Sequence, residues 1–95
     1  MKSYQIKNCQ TIANHYGYKS QSLIAIEEMS ELTKEICKFG RGQSNLDALV
    51  DEIADVKIMV EQLEYLFGVA EKVDARIDYK LERQLKRMEH EREFD

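Results

Sequence analysis

Apolar residues recur at three- and four-residue steps along most of the chain, the spacing of a helix face rather than the alternation of a strand. Ile6, Cys9, Ile12, Ala13 and Tyr16 share one side of the first segment, which predicts a helix from Ser3 to about Tyr16 with Gly17 as its C-cap. Tyr18-Lys19-Ser20-Gln21-Ser22 reads as a turn with a serine N-cap, opening a second helix that runs to Phe39. Gly40-Arg41-Gly42-Gln43-Ser44-Asn45 is the clearest interruption, because it combines glycines with capping residues. Helices joined by so short a connection are expected to form an antiparallel hairpin. A third helix is expected from Leu46 to about Phe67, stopping at Gly68, and a fourth from Ala70 to about Met88. The fourth carries a narrow stripe of Val73, Ile77, Leu81, Leu85 and Met88, and the charged run 89–95 is expected to fray. The expected fold class is all-α: one domain over 1–95, a bundle of about four helices around a central hairpin, with its core at 20–67.

Two acidic pairs interrupt the apolar faces of the hairpin. At about 100° per residue, Ile24, Leu32, Ile36 and Phe39 fall within roughly 80° of Glu28, and Glu31 and Glu35 flank that stripe. The next helix repeats the arrangement: Leu49, Val56, Met59, Leu63 and Phe67 surround Glu52, with Asp55 at the border. Glu27, Asp51, Glu61 and Glu64 project away from the stripes, as ordinary surface acids do. A single Glu-x-x-Glu on a charged helix is usually a solvated face. A carboxylate directed at a core costs several kcal/mol unless it is protonated, hydrogen-bonded or bound to a cation. Faces that must find each other would gather Glu28, Glu31, Glu52 and Asp55, and a hard divalent cation is the natural stabiliser of that cluster.

Magnesium is the first expectation and Mn2+ the second. The ligand set is all oxygen, and neither His15 nor His90 has a partner at zinc-ligand spacing. Mg2+ is commonly held by a few carboxylates together with substrate phosphates, which implies a phosphate-bearing ligand. Lys38 and Arg41 at the end of the second helix, with Lys80 and Arg83 on the fourth, are the basic candidates for phosphate contact.

Composition narrows the partners. The chain has 95 residues, 43% hydrophobic and 34% charged, with no proline and a net charge of -4. That balance argues against a nucleic-acid partner, whose binding needs a surplus of Lys and Arg. Cys9 and Cys37 are too few for a disulfide framework and fit a reducing compartment. No apolar run approaches the ~20 residues of a membrane span and no secretory signal opens the chain, so a cytoplasmic protein without membrane partners is expected. So short a chain often completes its core by sharing it with another subunit, which predicts a homodimer or homotetramer.

These residues also resemble a known family. Ile26-Glu27-Glu28-Met29-Ser30-Glu31-Leu32, followed by Asp51-Glu52-Ile53-Ala54-Asp55-Val56, is similar to the two-part E-E-x-x-E-L and E-x-x-D signature of MazG-like proteins. These are all-α nucleoside triphosphate pyrophosphohydrolases, relatives of the dimeric dUTPases and dCTPases. The likeness is strongest over Leu23 to Phe67, and Tyr79-Lys80-Leu81-Glu82-Arg83 looks like the basic stretch that follows the core helices in small members. The resemblance implies Mg2+-dependent hydrolysis of an NTP or dNTP to the monophosphate and pyrophosphate. Carried over by position, it implies that Glu28, Glu31, Glu52 and Asp55 hold the metal and orient the attacking water. Aromatic and polar side chains of the first two helices surround the base in that family, which here leaves Tyr4, Tyr16, Tyr18 and Gln21; there is no tryptophan. The competing expectations are a non-catalytic helical module for oligomerisation, and a nucleotide- or metal-binding relative without turnover.

Overall fold

Glycines punctuate the chain where the helices end. In a computed structural model that describes residues 1–93, the elements are α1 (Ser3–Gly40), α2 (Leu46–Leu66) and α3 (Ala70–Glu93). Within α1, Gly17 alone leaves helical geometry, at φ 84° and ψ 168°. That conformation is essentially closed to residues with a Cβ. It breaks α1 into two limbs, 3–16 and 18–40.

Both limbs pack on α2, in opposite senses. On the second limb Gln21 meets Gln62 and Glu28 meets Asp55, so residue numbers rise on one helix as they fall on the other. This is the antiparallel hairpin expected from the sequence. On the first limb, Cys9 lies beside Glu61, the Tyr65 hydroxyl donates to Asn14 Oδ1 at 3.0 Å, and Tyr18 just past the break meets the Phe67 ring at 6.1 Å. The first limb therefore doubles back and runs alongside α2 in the same direction.

The hairpin loop is built from the expected signals. The Arg41 amide donates to the carbonyls of Cys37 and Lys38, Gly42 takes φ 72°, and the Asn45 side chain accepts from the Ala48 amide at 2.9 Å. These bonds satisfy backbone groups that helix ends leave unpaired. Gly68, at φ 64°, ends the segment after α2.

Three expectations need correction. Tyr18 to Ser22 is helical, because the break at Gly17 reverses the chain without a separate turn or serine cap. The last helix extends past the expected boundary at Met88 to Glu93; Phe94 and Asp95 lie outside the described residues. Ile12 and Tyr16 are exposed, leaving Cys9 and Ala13 as the buried residues of the first limb.

The core is small. Cys9, Ala13, Ala25 and Met59 are its buried apolar members, and the amides of Gln21 and Gln62 are buried among the helices. Gln21 Nε2 donates to Gln62 Oε1 at 2.8 Å, which satisfies groups that would otherwise be costly to bury. The α3 helix touches α2 only near their junction and projects from the hairpin. The Cα radius of gyration is 16.7 Å, against about 12 Å for a compact chain of this length. No described helix is long and apolar enough to cross a membrane.

Candidate metal centre

The antiparallel register of the hairpin sets Glu28, on the second limb of α1, opposite Glu52 and Asp55, one turn apart on α2. One carboxylate oxygen from each lies within 4.8 Å of the others. Glu28 and Glu52 are half-buried and Asp55 is exposed, so the cluster sits in the hairpin groove with one side open to solvent. Oxygens bound to one Mg2+ lie up to about 4.2 Å apart, twice the ~2.1 Å bond length. A side-chain adjustment of under about 1 Å draws the three carboxylates onto such an ion and leaves positions for water or phosphate oxygens.

The electrostatics describe mutual repulsion. Partial desolvation pushes the Glu28 carboxyl above its ordinary range; the charge of Asp55, a hydrogen bond with Asp55, and the charges of Glu52 and Glu31 push it further. Glu52 is also raised, by desolvation first and then by Asp55, Glu31, Glu35 and Asp51. Every charged neighbour that acts on these groups is an acid. A bound cation would reverse the imbalance.

Glu31, the fourth expected ligand, stands at the rim. It is exposed and forms a 3.8 Å ion pair with Lys34, while its charge still acts on Glu28 and Glu52. Glu35 is half-buried and accepts a short hydrogen bond from the Ser44 hydroxyl, which ties the second limb to the loop before α2.

The basic candidates do not surround the cluster. Lys38 and Arg41 lie towards the loop, and Lys38 is ten residues beyond Glu28, or about 15 Å along the helix. The Arg41 Nε donates to Gln43 Oε1 at 3.1 Å. Lys80 and Arg83 lie on the projecting α3, with the Arg83 guanidinium 5.8 Å from the Tyr79 ring centre. The base-pocket candidates also separate. Tyr16 is exposed with its ring against His15, exposed Tyr18 meets Phe67, and Gln21 is buried in its bond to Gln62. Tyr4 is exposed beside Lys2.

Two expected surface acids differ from their reading. Glu61 and Glu64 are half-buried because the first limb of α1 covers that side of α2. Burial, then Glu61 and Asp74, raises the Glu64 carboxyl, whereas Glu27 and Asp51 are exposed as expected. The sequence reading also missed Gln62, the most completely buried large side chain; its only signal is a polar residue three positions after the core residue Met59. Comparison of the chain with protein-family models, with curated proteins and with solved structures finds no match.

Proposed function

We propose that the chain is a Mg2+-dependent nucleoside triphosphate pyrophosphohydrolase that works in the cytoplasm as a homodimer or homotetramer. The observation that carries the reading is the convergence of Glu28, Glu52 and Asp55 from two helices into one open groove, where the charges that raise Glu28 and Glu52 come from other carboxylates. A structural ion-pair network would place cations among these acids. A site meant for an incoming cation leaves them unbalanced.

Glu28, Glu52 and Asp55 would hold the ion through oxygen, with Glu31 at the rim joining directly or through water. Bound there, Mg2+ would neutralise phosphate charge and lower the pKa of coordinated water. A rim carboxylate of this set would orient the attacking water and accept its proton. Water adds across the α–β anhydride of the triphosphate; the P–O bond breaks, giving a nucleoside monophosphate and pyrophosphate. Lys38 and Arg41, towards the loop, are the proposed phosphate contacts; Lys80 and Arg83 stand on the projecting α3, apart from the carboxylates, and take no part in this reading. Tyr16 and Tyr18 are the proposed base contacts; Gln21 serves the limb-to-limb bond instead.

The chain exposes 7751 Å² of surface, against about 5,700 Å² for a compact monomer of its 11.2 kDa mass. The excess is on the order of the area a subunit buries in a stable oligomer. The same excess favours the second reading, a helical assembly module that binds metal or nucleotide without turnover. A panel of ribo- and deoxynucleoside triphosphates incubated with and without Mg2+ separates the two. Pyrophosphate release that requires the metal supports the enzyme, and a panel left intact at saturating Mg2+ leaves the module.

A further inference from the structure

The projecting helix α3 has one uncovered apolar side. At about 100° per residue, Val73, Ile77, Leu81, Leu85 and Met88 fall within an arc of about 120°. Val73 is half-buried at the junction with α2, while Ile77, Leu81, Leu85 and Met88 are 48%, 60%, 60% and 47% exposed. Charge is sorted on the two sides of this arc. Lys72, Arg76, Lys80, Arg83 and Arg87 line one edge; Glu71, Asp74, Asp78, Glu82 and Glu89 line the other, and all ten are exposed. Between Glu71 and Glu89 only Lys86 breaks the sorting, and it is tied to Glu82 in a 3.2 Å ion pair.

We infer that α3 pairs with the α3 helix of a second copy, the two lying parallel about a two-fold axis. The inference deepens the self-assembly reading and rests on it, but it does not depend on nucleotide chemistry. A helix polar all round can stand in solvent, whereas a stripe of five apolar side chains, shared only with Gln84 and with Asp74 near its acidic margin, needs a partner on an arm with few internal contacts. Charge selects the second copy and its direction. When two helices face each other through their apolar stripes, parallel alignment sets the basic edge of each against the acidic edge of the other. Antiparallel alignment sets basic against basic and acidic against acidic along the whole contact, which opposes association.

The test uses the full chain with the exposed Cys37 changed to Ser, and a single new cysteine in place of Ile77 or Met88. These positions are eleven residues, or about 16 Å, apart along α3. Under mild oxidation, parallel pairing gives disulfide-linked dimers from Ile77→Cys alone and from Met88→Cys alone. Cross-linking of only one variant, only of a mixture of the two, or of neither overturns the parallel pair. Native mass by light scattering, measured on the same samples, separates this from the broader reading: a dimer without these cross-links sinks only the α3 pairing, and a monomer at tens of micromolar sinks both. A charge variant guards against a folding artefact. Combining Arg76→Glu, Lys80→Glu and Arg83→Glu is expected to weaken dimerisation at least tenfold at low salt without loss of helical signal. Adding Asp74→Lys, Asp78→Lys and Glu82→Lys restores complementarity and dimerisation; failure of that rescue contradicts the inference.

Discussion

Glu28 and Glu52 are held where folding and metal binding make opposite demands. Each is raised by partial desolvation and by neighbouring carboxylates, so the folded protein binds protons there more tightly than the unfolded chain. Their stabilising contribution is complete below the unfolded carboxylate pKa of about 4.3 and is lost as pH rises through the raised values. Without metal, Glu52→Gln and Glu28→Gln should therefore melt as high as the wild type at pH 7 or higher, and the advantage should shrink towards pH 5. With Mg2+ the order reverses. Bound at the proposed site, the ion would stabilise the wild type by RT ln(1 + [L]/Kd), about 2.7 kcal/mol at one hundred times Kd, and the variants by much less. Because the ion needs the carboxylates ionised, its stabilising shift should grow between about pH 5 and 7. Melting curves in EDTA and in Mg2+ at several pH values check these statements, with the exposed Glu27→Gln as the control. If Glu52→Gln melts well below wild type in EDTA yet keeps its Mg2+ shift, Glu52 is a structural residue. At this scale the sequence exposed most of the cluster, because a carboxylate in the middle of an apolar stripe conflicts with burial and has few remedies. It did not expose the separation of Glu31, whose place at the rim depends on how the two helices are rotated against each other. Nor did it expose Gln62, whose burial comes with its bond to Gln21 across the hairpin.

At the scale of elements, the chain is organised by Gly17 more than by any apolar residue. The hairpin, its loop and the end of α2 were legible because Gly40, Gly42, Asn45 and Gly68 carry local, mechanism-bearing signals. The continuous helix after Gly17 was not, since serines at 20 and 22 imitate a cap that the glycine makes unnecessary. The extension of α3 was missed for a different reason: charge suggested fraying, whereas charges in an arrangement such as Glu82 and Lys86 support a helix. Gly17→Ala follows directly. A Cβ there meets no atom within 4 Å, so the penalty is backbone strain alone, about 1–3 kcal/mol, seen as a lower melting temperature with the helices retained. Asn45→Ala should cost about 1 kcal/mol by removing the bond to the Ala48 amide. Equal melting of Gly17→Ala and wild type would show that the limbs do not need that conformation.

At the scale of the whole molecule, the single chain leaves much of its apolar surface uncovered. Its few buried residues are outweighed by exposed apolar side chains on every helix, among them Leu23, Ile26 and Ile36 on α1 and Leu46, Val50 and Ile53 on α2. The all-α architecture was legible from periodicity, but what covers the exposed apolar faces was not, because periodicity marks a face without naming what packs on it. Assembly should make the melting temperature rise with protein concentration. Light scattering at about 1 to 100 µM should show dimer or tetramer, and a stable monomer across that range would remove this part of the account. Pyrophosphate release at the carboxylate cluster is open to direct observation by 31P NMR of a nucleoside triphosphate panel. With Mg2+, wild type and Asp51→Asn should convert at least one triphosphate to monophosphate and pyrophosphate, while EDTA or Glu52→Gln lowers the rate at least a hundredfold. Triphosphates that remain intact with wild-type protein and Mg2+, or equal turnover by Glu52→Gln, would contradict it.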